Sequence, residues 1–460
     1  MTAISHPAVA RAVTSLTRSQ RVPVFLIGDS TLTGTSSQLG WMHGVSKATT
    51  DIFPCVGTMI VAGRSLTSLD FYGSRTGDSS PAPTKTILDD ATPPRATPDH
   101  IQTTIPASDA NHTMVPHFYA YHADFHSISA SSVNKNGLRI QPAHPIGIET
   151  NALRITYMYS TETGGTGGSI RPTVHSSSQT SSVNALALEA AALTTSGTTD
   201  STPIRSLTAS GPSLVGDTLE FRHVPRAGSA AQTLEGPVAI LWMSFDNPAL
   251  SNGVAVSPLL GDGGWSTQTV LETLQDSMIL DAPIEGFLSF AESTHHMESN
   301  GACLVEINLG ANDVNETGDV NGNSIGPNPT SWASDPAGAF SDNLQGIITS
   351  LRARHAANGK DPDSMYFSIA PHPPADPPNA TVESFRAAAA AVAGANANVF
   401  AVDYSALITG AAITANSWRQ DATHYTQAGY EGLAALKWEA ITAGSSGPRR
   451  NRGIRGARSR

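Results

Sequence analysis

The sequence predicts an α/β fold: a mostly parallel sheet with helices on both faces, interrupted by a strand-rich insertion. Three observations predict it. Apolar runs of strand length alternate with amphipathic stretches of helix length near the start and again after residue 250. Between residues 81 and 249 the periodicity changes to two, with Gly/Ser/Thr-rich turns such as Gly164-Gly165-Thr166-Gly167-Gly168 between short runs. Lastly, three short polar strings sit beside the apolar runs, far apart and in order: Gly28-Asp29-Ser30, Gly310-Ala311-Asn312-Asp313 and Asp421-Ala422-Thr423-His424.

Each element follows from its pattern. Val9, Val13 and Leu16 recur at helical spacing and predict a short amphipathic lead-in. Residues 22–27 are an unbroken apolar run, the signature of a strand buried on both faces, and a helix is expected around 41–50. After the insertion, strands are expected at 253–258, 303–309, 365–370 and 399–404. Helices are expected at 267–280, 284–297, 337–357, 382–393 and 426–441. Within 81–249, period-two runs at 117–128, 153–159, 218–224 and 238–245 predict an antiparallel sandwich. It is inserted between the strands at 22–27 and 253–258, and the one helical signal there is 185–192. The expected division is therefore 1–80 with 250–445 as one discontinuous domain, 81–249 as the insertion, and 446–460 as a tail.

Composition narrows the class. The chain has 460 residues, 14% of them charged, and a net charge of −11, so overall charge gives no reason to expect a nucleic-acid partner. Charge is uneven, because Arg449, Arg450, Arg452, Arg455, Arg458 and Arg460 fall in a Gly-containing tail without acids. Such a tail cannot bury a core and reads first as a solubilising end. Its sharper reading is an anchor for an anionic partner. No run approaches the ~18–20 apolar residues of a transmembrane segment, and the first residues lack the apolar centre of a signal peptide. Two cysteines, Cys55 and Cys303, exclude a disulfide framework. Fifteen histidines invite a metal, but His295-His296 point apart on a helix and no metal-binding spacing occurs, so no metal and no cofactor are expected.

The three strings supply the parts of acyl transfer. A serine hydroxyl needs a base within hydrogen-bond reach, and Ser30 follows a buried strand, at the sheet edge where open α/β folds bind ligands. His424 and Asp421 are three apart in one loop, a spacing that lets the carboxylate hold one ring nitrogen while the other faces Ser30. Taken separately, the same residues also suit a turn, a helix cap and a surface histidine. Asn312 in its turn can donate an amide N–H to a developing oxyanion. A backbone donor is expected after the second strand of the sheet. Gly264 in Gly263-Gly264-Trp265-Ser266 and Gly63 in Gly63-Arg64-Ser65 both qualify. Gly264 is preferred, because a full helix and then the Asn312 strand follow it without interruption.

With these residues in place, the chain resembles the SGNH (GDSL-like) hydrolase superfamily over about residues 20–75 and 250–442. The family's Ser, Gly, Asn and His match Ser30, Gly264 (or Gly63), Asn312 and His424. Thr31 departs from the leucine that many members carry after the serine. The Gly-Trp-Ser and Gly-Arg-Ser strings are similar to a turn of the family's polysaccharide acetylesterases. The resemblance implies a flavodoxin-like three-layer α/β/α domain that hydrolyses esters without metal. It implies an oxyanion hole of Ser30, Gly264 and Asn312, and an acylated carbohydrate or small ester as substrate.

Other features admit plainer readings. His372, in Ala370-Pro371-His372-Pro373-Pro374, suits a rigid loop better than a pocket wall. Trp265 and Trp332 can stack on a sugar ring, although packing is the ordinary role of a tryptophan. Asn111 and Asn315 fit a glycosylation pattern. The alternative function is a virion- or surface-associated structural or binding protein that keeps the hydrolase shell. The insertion and the basic tail speak for it, and the complete set of motifs speaks against it.

Overall fold

The computed structural model describes residues 3–33, 40–61, 247–261, 264–275, 296–315 and 334–443, and of residues 62–246 the strand segments alone. Strand β1 (Arg21–Gly28) is buried at all eight positions, as its apolar run requires. The other parallel strands are β2 (Cys55–Val61), β3 (Gly253–Gly261), β4 (Cys303–Asn308), β5 (Met365–Ile369) and β6 (Val399–Ala401). They lie in the order β2-β3-β1-β4-β5-β6. Register is set by pairs such as Val24 with Val256 on one side and Val24 with Leu304 on the other. The strand that leads to Ser30 is therefore central, with β3 and β4 as its immediate neighbours.

Among the described residues, the α-helices are α1 (Pro7–Ser19), α2 (Ser30–Thr33), α3 (Gly40–Thr50), α4 (Thr267–Gln275), α5 (Pro336–Ala357), α6 (Ala380–Ala395), α7 (Gly410–Ala415) and α8 (Gln427–Ala443). One sheet face is covered by α1, α3 and α8, and the other by α4, α5 and α6. Start signals explain the boundaries. Asp335 caps α5 by accepting from the Gly338 N–H, and Asn379 caps α6 by accepting from Thr381 and Val382. Phe340 of α5 and Phe385 of α6 stack with centroids 4.4 Å apart. On the opposite face Trp41, Tyr404, Tyr425 and Tyr430 form one aromatic cluster. Lys437 of α8 reaches through this layer to Glu306 of β4 at 2.8 Å, with both side chains fully buried. Such a pair stands because each charge has its partner at hydrogen-bond distance.

Two expectations change. The strand-rich segment leaves the sheet after β2, a parallel strand that precedes it, and returns as Val238–Asp246, antiparallel to β2. Glu149–Thr161 and Ile204–Val215 add outward from there, and His100–Thr104 and Tyr119–Ala123 also join, so one sheet of eleven strands includes both regions. A second antiparallel sheet holds five strands. The physical reason for the shared sheet is that β2 presents an edge whose backbone groups need partners. Leu186–Ala187, expected to be helical, pairs as a strand with Ile170–His175.

Boundaries elsewhere shift by a few residues, as frayed ends do. Helix α4 is described to Gln275, and the helix expected at 284–297 lies outside the described residues apart from its last two, which turn. Also outside them are Gly63, Asn111, His295, Trp332 and the arginine tail. Among the described residues, no helix is long and apolar enough to cross a membrane.

Candidate active site

Ser30 is the first residue of α2, immediately after β1. A Cβ on Gly28 would lie 2.7 Å from the Leu32 Cβ, so the tight turn from strand to helix requires glycine. Asp29 caps the turn: its Oδ1 accepts from the Thr31 N–H at 2.8 Å, and its carbonyl accepts from Leu32 at 2.9 Å. Burial pushes the Asp29 carboxyl up to about 6, against the opposing effect of the Thr31 hydrogen bonds and of nearby His424.

The loop at 418–426 brings Asp421 and His424 to Ser30. His424 Nε2 lies 2.9 Å from Ser30 Oγ, and His424 Nδ1 lies 2.9 and 3.1 Å from the two Asp421 oxygens. An ionised carboxylate can only accept, so Nδ1 carries the proton and Nε2 accepts from the Ser30 hydroxyl. Partial burial alone would raise the Asp421 carboxyl. The backbone N–H groups of His424 and Thr423, with the imidazole, outweigh that and hold it at about 2. Those N–H groups sit 2.7 and 2.8 Å from Oδ1, an Asx turn closed by Asp421 itself. The cap of α8 is Thr426, whose hydroxyl accepts from the Gly429 N–H, so Asp421 is not spent on that helix.

Arg419 pins the loop from outside. Its guanidinium donates to the carbonyls of Ala422 at 2.7 Å and Pro374 at 2.9 Å, and lies over the Tyr425 ring. The Tyr425 hydroxyl in turn lies at hydrogen-bond distance, 3.1 Å, from His372 Nε2. Burial, with Arg419 and Arg386 adding to it, lowers His372 to about 3, which keeps that ring neutral. The Pro-flanked loop thus contacts the 418–426 loop through Arg419 and Tyr425.

The loops that follow β3 and β4 leave the two strands that border β1. Gly264 has φ +84°, a left-handed conformation that favours glycine, and a Cβ there would meet nothing within 4 Å. It follows the strand adjacent to β1, whereas the strand before Gly63 is one position further out. Asn312 Nδ2 donates to the Trp265 carbonyl at 2.9 Å, which leaves the second hydrogen of that amide for another acceptor. Trp265 itself is buried against the core. The sequence alone assigns no role to Asp313, Thr267 or Arg419. The carboxylate of Asp313 stood in plain view beside Asn312, but nothing local names its partner.

Neither cysteine joins the site. Cys303 is buried in β4, and burial pushes the Cys55 thiol up to about 11, which keeps it protonated at neutral pH. Among the described residues, no three His, Cys, Asp or Glu side chains come together as a metal-binding group.

No family model matches the sequence, and no curated protein does. Solved structures with some likeness include a family two carbohydrate esterase from Cellvibrio japonicus, at 10% identity and TM-score 0.26, covering 71% of this chain and 97% of that one. Another is an acetyl xylan esterase from Butyrivibrio proteoclasticus, at 9% identity and TM-score 0.28, covering 71% and 92%. A lipase from a goat rumen metagenome, at 13% identity and TM-score 0.28, covers 40% and 79%. At these values the likenesses bear on neither the site nor the substrate.

Proposed function

We propose that this chain is a serine ester hydrolase. The observation that carries this reading is the unbroken hydrogen-bond line from Ser30 Oγ through His424 to Asp421, with contacts of 2.9 Å on each side of the ring. Ser30 attacks the ester carbonyl while His424 Nε2 takes its proton and Asp421 steadies the imidazolium. The backbone N–H groups of Ser30 and Gly264, with the free N–H of Asn312, receive the oxyanion. His424 then returns the proton to the departing alcohol. A water activated by the same ring cleaves the acyl-enzyme and restores the Ser30 hydroxyl.

Purified protein is expected to hydrolyse p-nitrophenyl acetate, and Ser30→Ala to lower kcat by about 10⁶. Turnover that survives Ser30→Ala refutes the mechanism. Fluorophosphonate labelling separates the alternative: folded protein that takes no label at Ser30 is a binding or structural module. The finer reading is O-deacetylation of carbohydrate, supported by the Gly264-Trp265-Ser266 string and its likeness to the acetylesterase turn. Acetate released from acetylated xylan is the expected result. Turnover of p-nitrophenyl acetate with no release from any acetylated carbohydrate would limit the reading to the esterase alone.

A further inference from the structure

Strand β1 lies between β3 and β4, so the loops that leave those neighbours must meet across its carboxyl end or remain apart. They meet at two places. The Asn312 side chain donates to the Trp265 carbonyl at 2.9 Å. Next to it, one oxygen of Asp313 accepts both the backbone N–H of Thr267, at 2.9 Å, and the Thr267 hydroxyl. Asp313 and Thr267 are almost wholly excluded from solvent, and 46 residues separate them in sequence. Thr267 is the first residue of α4 and stands three residues after Gly264. The helix has its own cap in Ser266, which accepts from Thr269 at 3.3 Å, so Asp313 satisfies a further N-terminal donor. A carboxylate at that end is favoured by the helix dipole. Behind the pair, Asn343 of α5 donates to the Thr267 hydroxyl and to Gln268.

The geometry points to Asp313 as a positioning residue: its buried carboxylate clasps the start of α4 and so sets the distance between the Gly264 amide and the Asn312 amide. This rests on the hydrolase reading, because those two amides matter only if an oxyanion forms between them. It goes beyond that reading by giving the donor pair a common anchor. Asp313 touches no reacting atom. A carboxylate is suited to the task because it takes two donors from one residue, and low exposure strengthens both. Small errors in donor placement are costly, since preorganised donors act only at the position the oxyanion will occupy.

The test compares wild-type protein with Asp313→Ala, Thr267→Val and Thr267→Ser in p-nitrophenyl acetate kinetics, with thermal melting as a folding check. Asp313→Ala is expected to lower kcat by roughly 10²-fold, approaching the loss of a whole oxyanion donor. KM should stay within about twofold and the acid limb of the pH–rate profile should not move, because the His424 loop is untouched. Thr267→Val should lower kcat by about tenfold and Thr267→Ser should restore it, the serine keeping the hydroxyl that the clasp uses. If Asp313→Ala does not fold, the Thr267 pair decides alone. Wild-type protein without Ser30-dependent turnover overturns the hydrolase reading and the positioning role with it. Ser30-dependent turnover that both Asp313→Ala and Thr267→Val leave intact overturns the positioning role only. A shifted acid limb would also overturn it, since it would show a general disturbance reaching the base.

Discussion

The two sides of Ser30 are built in opposite ways. On one side, the proposed acid and base come from a single loop and their mutual contact is local: Asp421 meets His424 three residues on, and its side chain is 51% exposed. On the other side, the proposed amide donors come from two loops joined by contacts between distant residues, with Asp313 and Thr267 buried at 1% and 0% exposure. A local turn forms wherever its few residues allow it. A clasp between strands forms only after the sheet has set its register. The acid–base side should therefore tolerate surface change but depend on the charge of one residue. The donor side should depend on packing at a distance.

The largest effect that tests this contrast is expected at Asp421. Replacement by Asn keeps the size and much of the turn but loses the charge that selects the Nδ1–H tautomer. It should lower kcat on the order of 10³–10⁴ while barely changing the melting temperature, because an exposed side chain contributes little to stability. Steady-state kinetics and a melting curve check both halves. A drop below about tenfold would mean that a backbone group, not Asp421, orients the imidazole.

Asn312 comes next. Asn312→Ala should lower kcat by about 10²–10³ with KM little changed. It also removes the donor to the Trp265 carbonyl, so the donor side should loosen while the acid limb of the pH–rate profile stays in place. A variant whose profile moves as far as that of Asp421→Asn would dissolve the distinction between the two sides.

The same contrast decides what could be read from the sequence. The Asp421–His424 pairing was legible because spacing alone nearly fixes it, and the buried β1 run placed Ser30 at a sheet edge. The preference for Gly264 over Gly63 rests on chain continuity in the sequence; β3 and not β2 borders β1, and Gly63 lies outside the described residues. Asp313–Thr267 was not legible, because no periodicity records which loops meet above a strand. The strand-rich segment shows the limit for sheets. Its alternating runs announced strands, but alternation says nothing about which edge a strand joins, and Val238–Asp246 joined β2. Leu186–Ala187 went astray for a related reason. An alanine-rich stretch has helical propensity, and pairing with Ile170–His175 overrode it.

The smallest effect on turnover, and the sharpest on stability, is expected at Asp29. Two carboxylates lie near the same imidazole, and their surroundings push them apart: Asp421 is held at about 2 by hydrogen bonds, while burial lifts Asp29 from 3.8 to about 6. Between those last two values the folded protein keeps a proton on Asp29 that the unfolded chain has released. Stability must therefore fall as pH rises from about 4 to about 6, by up to roughly 3 kcal/mol at 1.36 kcal/mol per unit. Asp421 acts in the other direction and in another window, since its contribution is lost as pH falls from about 4 toward 2. Asp29→Asn retains an oxygen to accept from the Thr31 N–H, so the turn that presents Ser30 should survive and kcat should change by less than about tenfold. Urea midpoints at pH 4, 5, 6 and 7 provide the measurement. The variant should gain on the wild type progressively over that range and level off above pH 6. Parallel curves for the two proteins would mean that Asp29 is ionised throughout, with water or a further donor compensating for its burial.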